Sequence, residues 1–187
     1  MTAKELERRA RRIKLLLMDA DGVLTDGKLY HFVDGAGEVI EFKGTHSRDG
    51  IALAWLPALG IQTGIISGRS SAGLAARAKM LKMTYVVQET HFKAPAIEAI
   101  LKEAGVSTED AAFVGDDFHD VPAMRRVGLS VAVADARPEV RKAADYVTKA
   151  KGGDGALREL VEIILKAQGK WPEILKRYEI DMGRSIR

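Results

Sequence analysis

Cysteine is absent from this chain of 187 residues, and so are long apolar runs. Without cysteine the protein can form neither a disulfide framework nor a thiolate metal site. No apolar stretch approaches the ~20 residues that a membrane-spanning helix needs, and the first residues lack the apolar region of a signal peptide. These absences lead us to expect a cytoplasmic protein.

Aromatic residues are few, at 6%, and only the two ends of the chain carry a net positive charge. Residues 1–14 hold six Lys/Arg and two Glu, and residues 166–187 hold six Lys/Arg and three acids, so residues 15–165 carry a net charge of −4. A nucleic-acid-binding protein more often has a basic stripe on its folded body, with aromatic residues interleaved. We therefore expect neither a nucleic-acid nor a membrane partner, and interpret the basic ends as solvated helix faces and a tail.

Apolar runs typical of strands alternate with helical periodicity along most of the chain, which predicts βαβ units and a parallel sheet. The expected fold class is α/β, a doubly wound, Rossmann-like parallel sheet with helices on both faces. We predict strands near residues 13–18, 61–67, 84–88, 111–115, 129–133 and 145–148. Helices are predicted near residues 49–59, 71–82, 94–104, 119–126, 137–143 and 155–168.

One segment interrupts this alternation directly after the first strand. Residues 28–43 predict two short strands around an Asp34-Gly35 turn, a β-hairpin. A lone hairpin is marginally stable in water, so this one should pack on a neighbouring subunit or on its own domain. The chain shows no linker, so we expect a single domain over 1–187, with the hairpin insertion at about 28–43 and a C-terminal helix and tail at about 155–187.

Two carboxylates follow the first predicted strand. Asp19 and Asp21 stand where a buried strand should end, and ligand sites of parallel α/β sheets lie at the carboxyl ends of strands. Two acids there need a counter-charge, which Mg²⁺ supplies while it keeps waters that leave room for a phosphate. One carboxylate can then attack phosphorus while the other passes a proton to the leaving oxygen.

Further polar residues follow two other predicted strands. Asp116 and Asp117 end the 111–115 strand and can approach the same crevice, with Asp116 as a direct Mg²⁺ ligand and Asp117 as a brace or a ligand through water. Asp120 either orients these acids or caps a helix. Ser67 and Gly68 offer a hydroxyl and N–H groups to a phosphate oxygen.

Two arginines indicate the kind of substrate. The guanidinium groups of Arg48 and Arg69 can pair bidentately with a carboxylate, which suits an acidic sugar phosphate. His31, His46 and His91 are scattered without the spacing of metal ligands, so we do not assign them to a metal site.

The sequence DxDGVLTDG of residues 19–27 resembles the first motif of the haloacid dehalogenase superfamily of phosphatases. Within that superfamily the chain resembles the small, capless branch in particular. The resemblance covers roughly residues 13–170. It includes residues 47–50, 65–69, Lys93, 114–117 with Asp120, 127–136, 144–148 and 152–156.

The resemblance implies a role for each motif residue. Asp19 would be the nucleophile that forms an aspartyl-phosphate, and Asp21 the general acid and base. Lys93 would offset negative charge on the nucleophile and the phosphate. Mg²⁺ would be held by Asp19, the backbone carbonyl of Asp21 and Asp116.

The resemblance also implies a substrate and an assembly. The substrate would be 3-deoxy-D-manno-octulosonate 8-phosphate, an acidic keto-sugar phosphate of lipopolysaccharide biosynthesis; a nonulosonate 9-phosphate or a broad range of phosphates are the alternatives. The 28–43 hairpin would replace the usual cap and assemble a homotetramer with active sites between subunits, and the tail would reach a neighbouring site. An alternative of another class is a phospho-acceptor module of the receiver type, which also combines acids, Mg²⁺ and a lysine on a doubly wound sheet.

Overall fold

A computed structural model describes residues 1–181 of the chain. The strands are β1 Leu15–Met18, β2 Tyr30–Val33, β3 Val39–Phe42, β4 Gln62–Ile66, β5 Tyr85–Val87, β6 Ala111–Gly115, β7 Leu129–Ala132 and β8 Tyr146–Val147. The helices are α1 Ala3–Ala10, α2 Ser47–Trp55, α3 Ala72–Met80, α4 Lys93–Ala104, α5 Val121–Met124, α6 Pro138–Ala143, α7 Ala156–Ala167 and α8 Trp171–Arg177. No helix in this part of the chain has the length and apolar character needed to cross a membrane.

Six of the strands form one parallel sheet in the order β5-β4-β1-β6-β7-β8. β1 lies between β4 and β6, and all four of its residues are buried, because helices cover the sheet. Met18 pairs with Ile65 of β4 and Val114 of β6, so these three strands end at the same level. The predicted doubly wound sheet is confirmed, and the segments after β1, β4 and β6 meet at one edge.

The C-terminal part of the chain contains a helix that the sequence pattern did not predict. α7 ends at Ala167, close to its predicted end, and the short helix α8 follows after a turn. The indole ring of Trp171 in α8 packs edge-on against Trp55 of α2, with ring centroids 6.0 Å apart, and Trp55 Nε1 donates a hydrogen bond to the Tyr178 hydroxyl. Ile174 is buried beside them. The tail expected after Lys170 therefore begins as a docked helix, and residues 182–187 lie outside the described residues.

The predicted hairpin is present and separate from the main sheet. β2 and β3 pair antiparallel, and the Asp34 carboxylate accepts hydrogen bonds from the backbone N–H groups of Ala36 and Glu38, which closes the turn. Because side chains alternate along a strand, one face carries only apolar groups. These are Tyr30, Phe32, Ile40 and Phe42, which are between 39% and 52% exposed. The opposite face carries His31 and Glu41 together with the exposed Val33 and Val39.

Candidate active site

The loop after β1 turns sharply at Gly22, whose φ of 85° is a left-handed conformation that glycine adopts readily. A Cβ at this position would also overlap the Asp116 carboxylate. The turn leaves Asp19 buried at the end of the strand and Asp21 partly exposed two residues later. The loop is held from behind, because Gly153 N donates a hydrogen bond to the Val23 carbonyl over 2.9 Å.

Lys93 connects the nucleophile candidate to the loop after β6. This lysine is fully buried at the start of α4, with its Nζ 2.6 Å from Asp19 Oδ1 and 2.6 Å from Asp120 Oδ1. A buried ammonium group is tolerated only where opposite charges and hydrogen bonds compensate its lost hydration. The two carboxylates provide that compensation, so the three side chains form one charged unit under the crevice.

Asp120 joins the loop after β6 to Lys93. Its Oδ2 accepts hydrogen bonds from the backbone N–H groups of Asp116 and Asp117, at 2.9 and 3.3 Å, while its Oδ1 contacts Lys93. Asp117 in turn caps the short turn that follows β6, accepting from Phe118 N over 2.7 Å. Asp117 thus lies at the rim as a brace for this loop, and Asp116 points towards the first loop.

The loop after β4 completes the crevice. The buried Ser67 hydroxyl accepts a hydrogen bond from Arg69 N over 3.1 Å, which bends the chain around Gly68. A cavity of about 430 Å³ lies between this loop and the two acidic loops. Its lining includes Asp19, Asp21, Ser67, Gly68, Arg69, His91, Asp116, Asp117 and His119.

The electrostatics of the crevice differ between its two principal acids. Burial opposes ionisation of Asp19, but the hydrogen bond with His119 and the charge of Lys93 outweigh it and lower the Asp19 pKa. Burial and the neighbouring charges of Asp120 and Asp19 raise the pKa of Asp116 to about 7. The hydrogen bond with Asp19 raises the His119 pKa. Asp19 is therefore ionised at neutral pH, as a nucleophile must be, whereas Asp116 is partly protonated because of its burial and its acidic neighbours.

Several observations agree with a divalent cation beside these acids. Asp116 Oδ1 is buried and has no hydrogen-bond partner among the described residues. Possible ligand atoms of Asp19, His119 and Asp120 lie within 4.8 Å of one another. Because Asp120 Oδ1 is already taken by Lys93, the unpartnered oxygen of Asp116 is the better indicator of the ion's position. Carboxylate oxygens are the ligands that Mg²⁺ prefers.

Arg48, predicted to bind substrate, and its neighbour Asp49 lie in different places. Arg48 is exposed in the first turn of α2 and is not among the cavity-lining residues of the described chain. Its neighbour Asp49 is fully buried and accepts hydrogen bonds from Gly155 N and Arg158 N at the start of α7. This stretch therefore fixes α2 to α7, and within the described residues only Arg69 of the two predicted arginines lines the cavity.

Sequence reasoning missed His119 and Lys43 beside the two acids of the first loop, and it did not assign His91, which lines the cavity. His119 Nε2 lies 3.3 Å from Asp19 Oδ2, and Lys43 Nζ lies 2.8 Å from Asp21 Oδ1. The position of His119 between Asp117 and Asp120, which were both predicted at the site, was a signal that could have found it. Lys43 carried no comparable signal, because the hairpin separates it from Asp21 along the chain.

Comparisons with known proteins agree with this geometry. Residues 80–160 match the family model of haloacid dehalogenase-like hydrolases. The 3-deoxy-D-manno-octulosonate 8-phosphate phosphatase of Escherichia coli strain K12 is 41% identical over 165 residues, which cover 88% of this chain and 86% of that protein.

Solved structures show the same similarity. The phosphatase of the same name from Moraxella catarrhalis, in complex with magnesium, phosphate and KDO, is 35% identical, with a TM-score of 0.89 and coverage of 95% of this chain and 99% of that one. The cobalt-bound phosphatase of Haemophilus influenzae is 41% identical, with a TM-score of 0.80 and coverage of 87% and 92%.

The chain is thus a haloacid dehalogenase-like hydrolase, as its sheet, its DxDG loop and the matched family model indicate. Within that class it belongs to the family of 3-deoxy-D-manno-octulosonate 8-phosphate phosphatases. Members of this family are phosphoric monoester hydrolases, so the alternative prediction of a receiver-type phospho-acceptor module is excluded.

Proposed function

We propose that the protein hydrolyses 3-deoxy-D-manno-octulosonate 8-phosphate through an aspartyl-phosphate formed on Asp19. The observation that carries the proposal is the convergence of Asp19, Asp21 and Asp116 on one cavity, with the buried Lys93 bonded to Asp19. The relatives that are named for this substrate support its identity. Arg69 at the cavity rim offers a guanidinium group to the carboxylate of an acidic sugar.

Phosphoryl transfer requires a positioned nucleophile, neutralised charge on the phosphoryl oxygens and a proton for the leaving group. In the proposed mechanism Asp19 attacks phosphorus, and Asp21 gives a proton to the leaving oxygen and later takes one from the hydrolytic water. Ser67 and the N–H groups near Gly68 hold a phosphoryl oxygen. Lys93 keeps Asp19 ionised and aligned.

Mg²⁺ would be held by Asp19, the carbonyl of Asp21 and Asp116, with Asp117 and Asp120 bracing the loop. When bound, the ion neutralises negative charge on the phosphate and on the carboxylates. Magnesium and cobalt in the two solved relatives support this choice of metal. The donor set consists of oxygens, which fits Mg²⁺ better than a softer metal.

Phosphate release from a panel of acidic sugar phosphates, with and without Mg²⁺, tests the proposal. We expect the highest kcat/KM for the eight-carbon substrate, loss of turnover on chelation and recovery with Mg²⁺. Ca²⁺, which is larger and takes more ligands, should bind without restoring the rate. Full activity after exhaustive chelation would contradict the metal role, and a better nine-carbon substrate would contradict the named sugar.

We further propose a homotetramer assembled through the 28–43 hairpin, with a cytoplasmic location. The exposed apolar face of Tyr30, Phe32, Ile40 and Phe42 supports the assembly. Apolar patches of this kind often mark protein interfaces. We also infer that residues 1–187 act as one domain, since the described core is a single cluster of buried side chains.

A further inference from the structure

Lys43 follows β3 at the base of the hairpin, and its side chain is only 6% exposed. Its Nζ lies 2.8 Å from Asp21 Oδ1 and 2.9 Å from Asp21 Oδ2, so one ammonium group contacts both carboxylate oxygens. We propose that Lys43 is a positioning residue for Asp21 and that it links the hairpin to catalysis. The inference rests on the proposed function, in which Asp21 exchanges protons with the leaving group and with water.

Asp21 has few other restraints. Among the described residues, its remaining polar contacts are longer: Thr25 Oγ1 at 3.5 Å and Arg69 Nε at 3.8 Å. The Asp21 side chain is 23% exposed, so packing alone does not fix its rotamer. A general acid must lie within hydrogen-bond reach of the oxygen that it protonates, and small errors in its position lower the rate. The Lys43 contact supplies the missing restraint.

Lys43 is itself held in place from two sides. Its Nζ lies 3.6 Å from Glu41 Oε1, and Glu41 Oε2 accepts a hydrogen bond from Arg69 Nη2 over 2.6 Å. An antiparallel bridge between Thr25 and Thr45 joins the first loop to the segment after Lys43. A chain of alternating charges therefore connects the first loop, the hairpin and the loop after β4. Its members are Asp21, Lys43, Glu41 and Arg69. The orientation of the hairpin thereby determines where Asp21 points.

A competing role for Lys43 would be direct contact with the substrate. Lys43 lines a neighbouring cavity of about 310 Å³ between the hairpin and α3, and it is absent from the described lining of the catalytic cavity. A residue that binds substrate changes KM, whereas one that positions the acid lowers the rate of the proton-dependent step. The two roles are therefore separable by kinetics.

The experiment compares Lys43→Met, Lys43→Arg and the control Lys28→Met, which removes an exposed lysine where the hairpin begins. Single-turnover phosphorylation of the enzyme and the steady-state KM are measured with the sugar phosphate and with p-nitrophenyl phosphate, whose leaving group needs no proton. For Lys43→Met we expect a loss of about 10- to 100-fold with the sugar phosphate, part of the 10²–10⁴ that general acid catalysis supplies, with little change in KM. The aryl phosphate rate should stay near wild type.

Lys43→Arg keeps the positive charge and should recover most of the lost rate, while Lys28→Met should match wild type. Equal losses on both phosphates, an effect confined to KM, or a wild-type rate for Lys43→Met would each overturn the inference. If Lys43→Met fails to fold, Glu41→Gln provides the second test. It should give a smaller loss of rate, again with the sugar phosphate and not with the aryl phosphate. Equal losses on both phosphates would overturn the inference. A wild-type enzyme without phosphatase activity would instead refute the proposed function.

Discussion

The acidic crevice buries charged side chains, whereas the hairpin exposes apolar ones, and both are the reverse of what folded proteins usually do. In the crevice Asp19, Lys93 and Asp120 are charged and buried, whereas on the hairpin Phe32 and Phe42 are aromatic and about half exposed. Buried charges need partners, and exposed apolar faces of this kind usually meet another surface.

The two regions differ in where those partners lie. In the crevice the chain itself pairs nearly every charge, and the buried Asp116 Oδ1 is left without a described partner. On the hairpin the aromatic rings stack on one another, as with Tyr30 and Phe42 at 5.1 Å between ring centroids, and remain about half exposed. The crevice therefore leaves one buried carboxylate oxygen available to a ligand, while the hairpin leaves an apolar face about half exposed in the described chain.

The largest expected effect is at the nucleophile. Asp19→Asn should abolish turnover, because an amide neither attacks phosphorus nor holds the cation well. Asp21→Asn should lose the proton transfer, roughly 10²–10⁴-fold in rate. Phosphate release measures both, and Asp154→Asn, which removes a carboxylate that is 72% exposed, is the control. Retention of more than half the wild-type rate by either active-site variant would contradict the assignment.

The hairpin gives the next largest effect. Phe32 and Ile40 are directly opposite on the apolar face, so the double change Phe32→Ser, Ile40→Ser removes its centre. Each apolar side chain that is buried on assembly contributes roughly 1.5–3 kcal/mol, so the assembly should dissociate and activity should fall with it.

Sedimentation velocity measures the assembly, and Val86→Ser on the edge strand β5 is the matched control for the loss of an exposed apolar side chain. An unchanged sedimentation coefficient in the double variant would remove the hairpin from the interface. A fully active monomer would place the whole site within one chain.

A smaller effect is expected on the pH dependence of stability. The pKa of Asp116 is about 7 in the folded chain and 3.8 when unperturbed, so between these values the metal-free folded state holds a proton that the unfolded state has released. The stabilisation by protonated Asp116 is complete below pH 4 and is lost as the pH rises through 7.

Asp116→Asn cannot ionise, so the metal-free variant should become more stable relative to metal-free wild type as the pH rises from 4 to 8. Urea unfolding at both pH values measures this difference, and added Mg²⁺ should stabilise the wild type at pH 8 more than the variant. A difference between the two proteins that does not change with pH would show that Asp116 does not titrate in this range.

The smallest expected effect concerns residues 182–187, which contain Arg184 and Arg187. A cut after Lys170 would also remove α8 with Trp171 and Ile174, so the clean truncation is after Asp181. We expect a few-fold change in KM or kcat with the assembly intact, because a basic tail is drawn towards an acidic body and can help to exclude water. Unchanged steady-state kinetics would mean that the tail does not reach an active site.

Much of the fold followed from local pattern. The alternation of apolar runs and helical periodicity predicted all six strands of the sheet, and the Asp34-Gly35 turn between alternating strands predicted the hairpin. Asp19 and Asp116 could be placed together because strand ends of a parallel sheet share an edge. These features depend on neighbours in sequence and on a general rule of topology, so the sequence by itself determined them.

Tertiary structure alone decided the remaining contacts. Lys43 meets Asp21 because the hairpin folds back over the first loop. Arg48 is exposed and does not line the described cavity, while its neighbour Asp49 is tied to the start of α7. α8 exists because Trp171 packs on Trp55, not because its own short sequence is a strong helix former. Side-chain direction and docking depend on surfaces brought together from distant parts of the chain, and no local pattern encodes them.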